Sequence, residues 1–220
     1  MSTDRVSAHY DDAYFRRQVD IGAFGGWANR SKFERHVRPD DAVLDFGCGG
    51  GFLLKGLECA RRMGVEINPA AAKVARENGV EVFGSLDDVP DESADVVISN
   101  HALEHALRPL DELRAMRRKV RPGGKVVIVV PCESILANYV PGDVNNHLYT
   151  WSPMNLGNAL NEAGFKVLES KVYLHKWPPK WRKFVGVYKR NRALFDLLSR
   201  LTALVRWKSF QVRAVAQRVD

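Results

Sequence analysis

Residues 43–54 are Val43-Leu44-Asp45-Phe46-Gly47-Cys48-Gly49-Gly50-Gly51-Phe52-Leu53-Leu54, an apolar run followed by glycines and a second apolar run. Gly47, Gly49 and Gly51 alternate with other residues, and glycine tolerates positive φ angles and leaves room for a ligand. A helix that begins after such a turn directs free N–H groups towards it. Asp45 adds a carboxylate at the end of the preceding strand. The stretch therefore predicts a strand, a ligand-binding loop and a helix in succession, with the helix at about residues 50–60.

A second acidic residue follows at the end of the next predicted strand. Residues 62–67 form a short apolar run that ends around Glu66, about twenty residues beyond the loop. In nucleotide-binding α/β folds an acid at this place accepts hydrogen bonds from a ribose diol. The alternative is a simple glycine turn and an unrelated surface glutamate.

The spacing of the glycines distinguishes between two kinds of cofactor-binding site. A dinucleotide site is expected to carry G-x-G-x-x-G, whereas this chain has G-x-G-x-G preceded by Asp45. This pattern resembles motif I of the class I S-adenosylmethionine-dependent methyltransferases, and the resemblance extends from about residue 43 to 165. It implies a cofactor without phosphates, whose ammonium and carboxylate lie over the glycine loop. Asp45 would then face a positive charge.

The resemblance also implies an α/β fold with a doubly wound, Rossmann-like sheet of seven strands in the order 3-2-1-4-5-7-6. Helices cover both faces, and strand 7 is antiparallel. The Pro-Gly-Gly sequence at 122–124, before an apolar strand, matches the same pattern. The predicted strands are residues 42–46, 62–67, 80–83, 94–99, 125–131, 165–174 and 209–216.

We expect residues 1–220 to form a single methyltransferase domain with two additions. Residues 1–37 are predicted to form an N-terminal helical cap, whose first helix is broken at Gly25-Gly26. In methyltransferases of this type such helices close over the cofactor, which makes Tyr14, Trp27 and Lys32 candidates to touch it. Alternatively, the two aromatic residues merely pack against the sheet.

The resemblance assigns the cofactor contacts to particular positions. Cys48 is expected to be a small residue that fits the loop, and Leu86 to offer its backbone amide to the adenine edge. Ser85 stands where many relatives carry an aspartate. The complete set is Asp45, Gly47, Cys48, Gly49, Glu66, Ile67, Ser85, Leu86, Ser99, Tyr14, Trp27 and Lys32.

Three histidines map to the edge of the sheet where open α/β sheets bind their ligands. Methyl transfer to a hydroxyl requires a base that removes the proton, and histidine has a suitable pKa. We favour His147 as the base, because its loop follows strand five, with Glu104 and His105 serving the acceptor. A histidine that only caps a loop is the alternative for each of them.

His101-x-x-Glu104-His105 resembles the Glu-x-x-Glu-His sequence by which some methyltransferases coordinate a divalent metal. Here His101 replaces the first glutamate, and such a mixed donor set suits manganese or zinc better than magnesium. The alternative is that Glu104 and His105 position the substrate without a metal.

The composition of the chain indicates where the protein is located. The 220 residues carry a formal charge of +7 and three scattered cysteines, and no apolar run approaches the ~18 residues of a membrane span. Because the N-terminus also lacks an apolar signal core, we expect a cytoplasmic protein with reduced thiols.

The positive charge is concentrated in one segment. Residues 176–208 contain ten Lys and Arg and one acid, so the rest of the chain is nearly neutral and nucleic acid is a disfavoured partner. Within this segment, residues 177–207 are predicted to form a basic amphipathic insertion between the last two strands. The alternatives are a solvated face, a lid over the acceptor, a surface for an acidic partner, or peripheral membrane contact.

The sequence thus predicts an S-adenosylmethionine-dependent methyltransferase that acts on a hydroxyl of a saccharide or small metabolite. The Asn-Pro-Pro-Tyr sequence of amino-methylating relatives is absent after strand four, where Asn100 is followed by His101. One alternative is an NAD-dependent oxidoreductase, against which the missing third fingerprint glycine counts. Another is a module that binds RNA or a membrane through the basic insertion.

Overall fold

The computed structural model describes residues 22–134, 136–205 and 209–220. Its centre is one sheet of seven strands in the order β3-β2-β1-β4-β5-β7-β6, which confirms the predicted topology. Strand β7 pairs antiparallel with both β5 and β6, and the other neighbouring strands are parallel. The strands are β1 Ala42–Phe46, β2 Arg61–Val65, β3 Glu81–Phe83, β4 Ala94–Asn100, β5 Val120–Glu133, β6 Lys166–Tyr173 and β7 Ser209–Gln217.

The central strands are continuous apolar runs because both of their faces are covered. Leu44 of β1 lies opposite Met63 of β2 and Val97 of β4, and all three side chains are fully buried. Alternate residues contribute to two separate hydrophobic clusters, one on each face of the sheet. This burial fixes the register of the strands, and hence the edge at which their polar C-terminal residues meet.

The helices begin and end where the sequence places capping residues. Asn68 caps α3, because its side chain accepts hydrogen bonds from the N–H groups of Ala70 and Ala71. Ser152 caps α5 in a reciprocal arrangement with Asn155. The helices are α1 at 22–29, α2 Phe52–Gly56, α3 Pro69–Glu77, α4 Pro109–Lys119, α5 Pro153–Glu162, α6 Val185–Arg190 and α7 Arg192–Val205.

Two local predictions were wrong. Gly25 and Gly26 lie inside α1 and do not break it. A Cβ at Gly26 would lie 2.3 Å from the Phe52 carbonyl oxygen, so glycine there permits close packing of α1 on α2. Helix α2 also ends at Gly56, earlier than the predicted residue 60, because the chain is extended from Leu57 towards β2.

The Pro-Gly-Gly turn lies within the bounds of β5, where it interrupts the regular pairing of β5 with β4. Val120 is opposite Ala94, and the next paired residue, Lys125, is opposite Val96. The intervening residues leave the ladder, and Gly123 has a φ of 79°. Regular pairing then continues through the apolar run that was predicted as strand five.

The insertion lies between β6 and β7 in the order of the chain, and its status as a separate addition to the domain stays a prediction. Its described part contains a 3-10 turn at Trp181–Phe184 and then α6 and α7. Together with α1 it forms an aromatic cluster, in which the Phe24 and Trp181 rings stack 4.2 Å apart. The described residues contain no helix with both the length and the apolar character needed to span a membrane. All three cysteines are unpaired.

Candidate active site

The glycine loop after β1 is held open by backbone geometry. Gly47 and Gly49 have φ angles of 77° and 53°, in the left-handed region that favours glycine. The N–H groups of Gly47 and Cys48 both donate to the carbonyl of Val65, which anchors the loop to the end of β2. A Cβ at Gly49 would meet no atom of the described residues within 4 Å, so the outer side of the loop is open to a ligand.

Asp45 places a buried carboxylate behind this loop. Its side chain is 2% exposed, and within the described residues its Oδ1 has no hydrogen-bond partner. Burial, together with the neighbouring charge of Glu66, raises the pKa of Asp45 well above its ordinary value. A buried acceptor without a donor is costly, so a cationic ligand group at this place would be strongly favoured.

Glu66 joins the end of β2 to the glycine loop. Its two carboxylate oxygens accept hydrogen bonds from the N–H groups of Gly49 and Asn68, each at 2.8 Å. Burial raises the pKa of Glu66 against the effect of these hydrogen bonds. Asp45 and Glu66 therefore flank the same loop, and their binding of a nucleoside stays a prediction.

The loops after β2 and β3 carry the residues assigned to the adenine side. Ile67 is about half exposed beside Glu66, whereas Leu86 is buried in the core. The Ser85 hydroxyl donates to Asp88 at 2.8 Å and so closes a 3-10 turn. These residues lie at the same edge of the sheet, and their contact with a cofactor stays a prediction.

Cys48 and Ser99 are buried and have structural partners. A Cβ at Gly64 would lie 2.5 Å from the Cys48 sulfur, so the thiol fills the space beneath the loop. Burial, with the charges of Asp45 and Glu66, raises the pKa of Cys48 and keeps the thiol protonated. The Ser99 hydroxyl donates to the Phe46 carbonyl at 3.2 Å and ties β4 to β1.

The candidates from the N-terminal cap lie in different surroundings. Lys32 is buried, its Nζ donates to Asn100 Oδ1 at 3.0 Å, and burial lowers its pKa to about 7 despite the opposing effect of Glu104. Trp27 packs on Phe195 of α7, with ring centroids 4.9 Å apart. Tyr14 lies outside the described residues. Lys32 is thus part of the active edge, and Trp27 belongs to the aromatic cluster.

Three imidazoles surround one buried carboxylate oxygen after β4. Glu104 Oε1 lies 3.2 Å from His101 Nδ1, 4.0 Å from His105 Nε2 and 3.9 Å from His147 Nε2. Burial raises the pKa of Glu104, but the hydrogen bond and charge of His101 outweigh it and leave a lowered pKa. Burial also lowers the pKa of His105, which favours its neutral form.

Glu133 completes this cluster, and sequence reasoning missed it. Its Oε1 lies 2.8 Å from His147 Nδ1, so the carboxylate orients the imidazole. The loop that carries His147 is fixed by the N–H groups of Leu148 and Tyr149, which donate to the Glu104 carbonyl. The position of Glu133 at the C-terminal end of β5 was the available signal, because parallel strands present their last residues at the site.

Three of these five residues offer donors suited to a metal. One atom from each of Glu104, His105 and His147 lies within 4.8 Å of the other two. His147 takes the place in this group that the sequence had given to His101, although the sequence had assigned His147 only as a base. The carboxylate and imidazole donors suit manganese or zinc.

The sheet order, the antiparallel seventh strand and the acid pair around an open glycine loop define the class I methyltransferase fold. The residues present fit S-adenosylmethionine, because the unpartnered Asp45 Oδ1 is suited to an ammonium group and the space over Gly49 is open.

Comparison with known proteins identifies the family. Residues 21–170, more than half of the chain, match the family described as "Methyltransferase domain", and the chain belongs to this family. Ribosomal protein L11 methyltransferase from Burkholderia mallei (strain NCTC 10229) is 35% identical over 103 residues, which are 43% of this chain and 33% of that relative. The chain therefore spans about a third of the length of the curated relatives it matches.

Solved structures share the fold. A chain of the complex containing the Haloferax volcanii Trm112 methyltransferase activator has a TM-score of 0.69 at 23% identity, with 98% of both chains covered. A SAM dependent methyltransferase from Archaeoglobus fulgidus has a TM-score of 0.63 at 20% identity, covering 94% of this chain and 100% of that one. The family uses S-adenosylmethionine, which favours the methyltransferase interpretation over the oxidoreductase one.

Proposed function

We propose that the protein transfers the methyl group of S-adenosylmethionine to a hydroxyl oxygen of a saccharide or other small metabolite. The sulfonium–methyl bond breaks as the oxygen–methyl bond forms, and the hydroxyl proton passes to His147 Nε2. The products are the methyl ether and S-adenosylhomocysteine. The observation that carries this proposal is the 2.8 Å contact between His147 Nδ1 and Glu133 Oε1.

That contact favours the tautomer a base requires. Glu133 is suited to accept a hydrogen bond from the Nδ1–H group, which leaves the Nε2 lone pair free on the side of Glu104. The imidazole is mostly buried yet not enclosed, with 15% of its side chain exposed, so a small acceptor can reach it. Because the displacement is in line, most of the remaining catalysis lies in holding the two reactants collinear.

The cofactor would be held by the residues around the glycine loop. Asp45 receives the ammonium group, and Glu66 accepts hydrogen bonds from the ribose hydroxyls in exchange for its bond with Gly49. Ile67, which is exposed at the same edge, offers an apolar surface to the adenine ring.

A divalent ion is an alternative to the free base. Glu104, His105 and His147 would hold it, so that His147 Nε2 would be a ligand and not a base, and a bound ion would lower the pKa of an acceptor hydroxyl. Chelation followed by stepwise addition of Mn²⁺ or Zn²⁺ tests this alternative. A fall in transfer on chelation that Mn²⁺ or Zn²⁺ restores supports it, and unchanged transfer contradicts it.

A protein acceptor is the second candidate function. The observation favouring it is the 35% identity over 103 residues to ribosomal protein L11 methyltransferase. An amine acceptor has a different requirement, because a neutral amine attacks without first losing a proton. A hydroxyl needs the base held by Glu133 in every turnover, whereas an amine needs one only while it is protonated, which is why we place the hydroxyl acceptor first.

The experiment that separates the two candidates follows the label from methyl-labelled S-adenosylmethionine. The purified protein is incubated with an extract of the source cells, and the extract is then divided by size into macromolecules and small solutes. We expect label in the small-solute fraction, bound as an alkali-stable ether. Label confined to protein would overturn the small-metabolite acceptor and favour the second candidate.

A further inference from the structure

Helix α7 carries apolar side chains on two opposite sides. One side is buried in the aromatic cluster through Phe195 and Ala203, eight residues apart. The other side exposes Leu197, Leu201 and Leu204, which are 54%, 49% and 56% exposed. Because these leucines are spaced by four and three residues, they form one stripe along the outer face of the helix.

The charges around the stripe are almost all of one sign. Asp196 is the only acid among residues 176–208, and it pairs with Arg192 at 3.1 Å. Arg192 also donates to the carbonyls of Trp27 and Ala28, so this ion pair serves to hold α7 on α1. Arg182 lies over the Trp181 ring, 5.6 Å from its centroid.

The exposed cations lack carboxylate partners within the part of the chain that the structure describes. They are Lys180, Arg182, Lys183, Lys189, Arg190 and Arg200. Arg200 lies on α7, one residue before Leu201, and Lys189 and Arg190 end the preceding helix α6. The insertion therefore exposes both an aliphatic stripe and six cations that have no carboxylate partner among the described residues.

We propose that this surface docks onto an anionic lipid bilayer, with α7 lying in the plane of the interface. The leucine stripe enters the boundary between headgroups and acyl chains, and the cations contact anionic headgroups. A nucleic acid would use the cations but leave the aliphatic stripe in water, since single-stranded bases stack on aromatic rings. An anionic bilayer surface offers partners to both the leucines and the cations.

The insertion is built to dock as a preformed unit. Trp177 and Trp181 pack edge to face 5.1 Å apart, and Phe24 of α1 stacks on Trp181 at 4.2 Å. The insertion also leaves and re-enters the sheet at the active edge, where Tyr173 pairs with Gln211 and Ser209 with Glu133. Docking thus requires no folding of this segment, which lowers its entropic cost.

Sedimentation with vesicles tests the proposal on the full chain. Vesicles of phosphatidylcholine with added phosphatidylglycerol should retain the protein, pure phosphatidylcholine vesicles should not, and high salt should weaken the retention. The variant Leu197→Gln/Leu201→Gln should bind the anionic vesicles about tenfold more weakly, because its stripe is interrupted. Lys189→Gln/Arg190→Gln should also lose roughly tenfold.

Leu168→Gln is the matched control, because Leu168 is a leucine of β6 with a similar exposed fraction of 50%. It should bind vesicles as the wild type does. All variants are checked by thermal unfolding, so that loss of the fold is distinguished from loss of docking. Three results would overturn the proposal: no retention on anionic vesicles, equal retention on neutral ones, or wild-type binding by the leucine variant. Complete displacement from vesicles by RNA would indicate a nucleic-acid surface instead and would also overturn it.

Discussion

His147 Nδ1 lies 2.8 Å from Glu133 Oε1, although the two residues are separated by an irregular loop. The same imidazole turns its Nε2 towards the buried Glu104 carboxylate at 3.9 Å. One carboxylate therefore orients the ring from outside, and in the proposed mechanism the other would stabilise the positive charge of the ring after it takes the acceptor's proton. This arrangement gives the proposed base two separable partners.

Replacement of the proposed base should slow methyl transfer strongly without changing the affinity for the cofactor. We expect His147→Gln to lower the rate of methyl transfer by roughly 10²–10⁴-fold, the usual contribution of a general base. Its dissociation constant for S-adenosylhomocysteine should be unchanged, as measured by calorimetry. His36→Gln, a half-buried histidine in the 3-10 turn Glu34–His36, is the control and should transfer normally. Wild-type transfer by His147→Gln would remove His147 from the mechanism.

Loss of the orienting carboxylate should have a smaller effect. Glu133→Gln keeps an oxygen that can accept a hydrogen bond but removes the charge, so we expect transfer to fall about tenfold. Glu133→Asp should recover part of the loss, and cofactor affinity should be the same in both variants. A merely structural role predicts a lower melting temperature with a normal rate per folded molecule. That outcome would contradict the orienting role.

Asp45 should make the cofactor-free protein less stable as the pH rises. Its folded-state pKa is raised well above the ordinary 3.8, so the folded chain holds a proton that the unfolded chain has released. Stability is therefore lost as the pH climbs from about 4 through the folded-state pKa. Asp45→Asn should remove this loss and raise the melting temperature near pH 7 by roughly 2–6 °C.

The control for this measurement is Asp40→Asn, because the Asp40 side chain is 83% exposed. Its melting temperature should follow the wild type at every pH. Asp45→Asn should also weaken S-adenosylhomocysteine binding at least about tenfold, since an amide does not pair with an ammonium group. A less stable Asp45→Asn variant would show that the carboxylate has a structural partner.

Lys32 should make the protein more stable as the pH rises, over a higher pH range than the effect of Asp45. Burial lowers its pKa from 10.5 to about 7, so between these values the unfolded chain holds a proton that the folded chain has released. Stability gains a contribution as the pH rises from 7 to 10.5. Lys32→Met should flatten that part of the profile, measured as the free energy of unfolding in urea. Lys55→Met is the matched control, because the exposed Lys55 also donates to an asparagine oxygen, at 2.8 Å. This variant should leave the pH dependence of the free energy of unfolding unchanged.

The topology could be predicted because its signals are local. The apolar runs of β4 and β5 and the glycine turn after β1 each specify their own conformation, and parallel pairing then leaves few alternatives. The starts of α3 and α5 are local signals of the same kind, because Asn68 and Ser152 each precede a proline and cap the helix that follows. The order of all seven strands followed from these local patterns together with the family resemblance.

The missing part of the site depended on contacts between distant segments. Glu133 meets His147 because the intervening loop is pinned to the Glu104 backbone, and no periodicity in the sequence encodes that pinning. Gly26 was misjudged for a related reason. Glycine breaks helices by propensity, but here the close approach of Phe52 selects it within a helix.

Titration calorimetry of S-adenosylhomocysteine binding to the wild type and to Glu66→Gln tests the cofactor site most sharply. We expect one exothermic site per chain in the wild type and at least about tenfold weaker binding in the variant, because an amide is a poorer acceptor for a ribose diol than a carboxylate. An absence of binding heat in the wild type, or equal affinity in the variant, would contradict a cofactor site between Asp45 and Glu66.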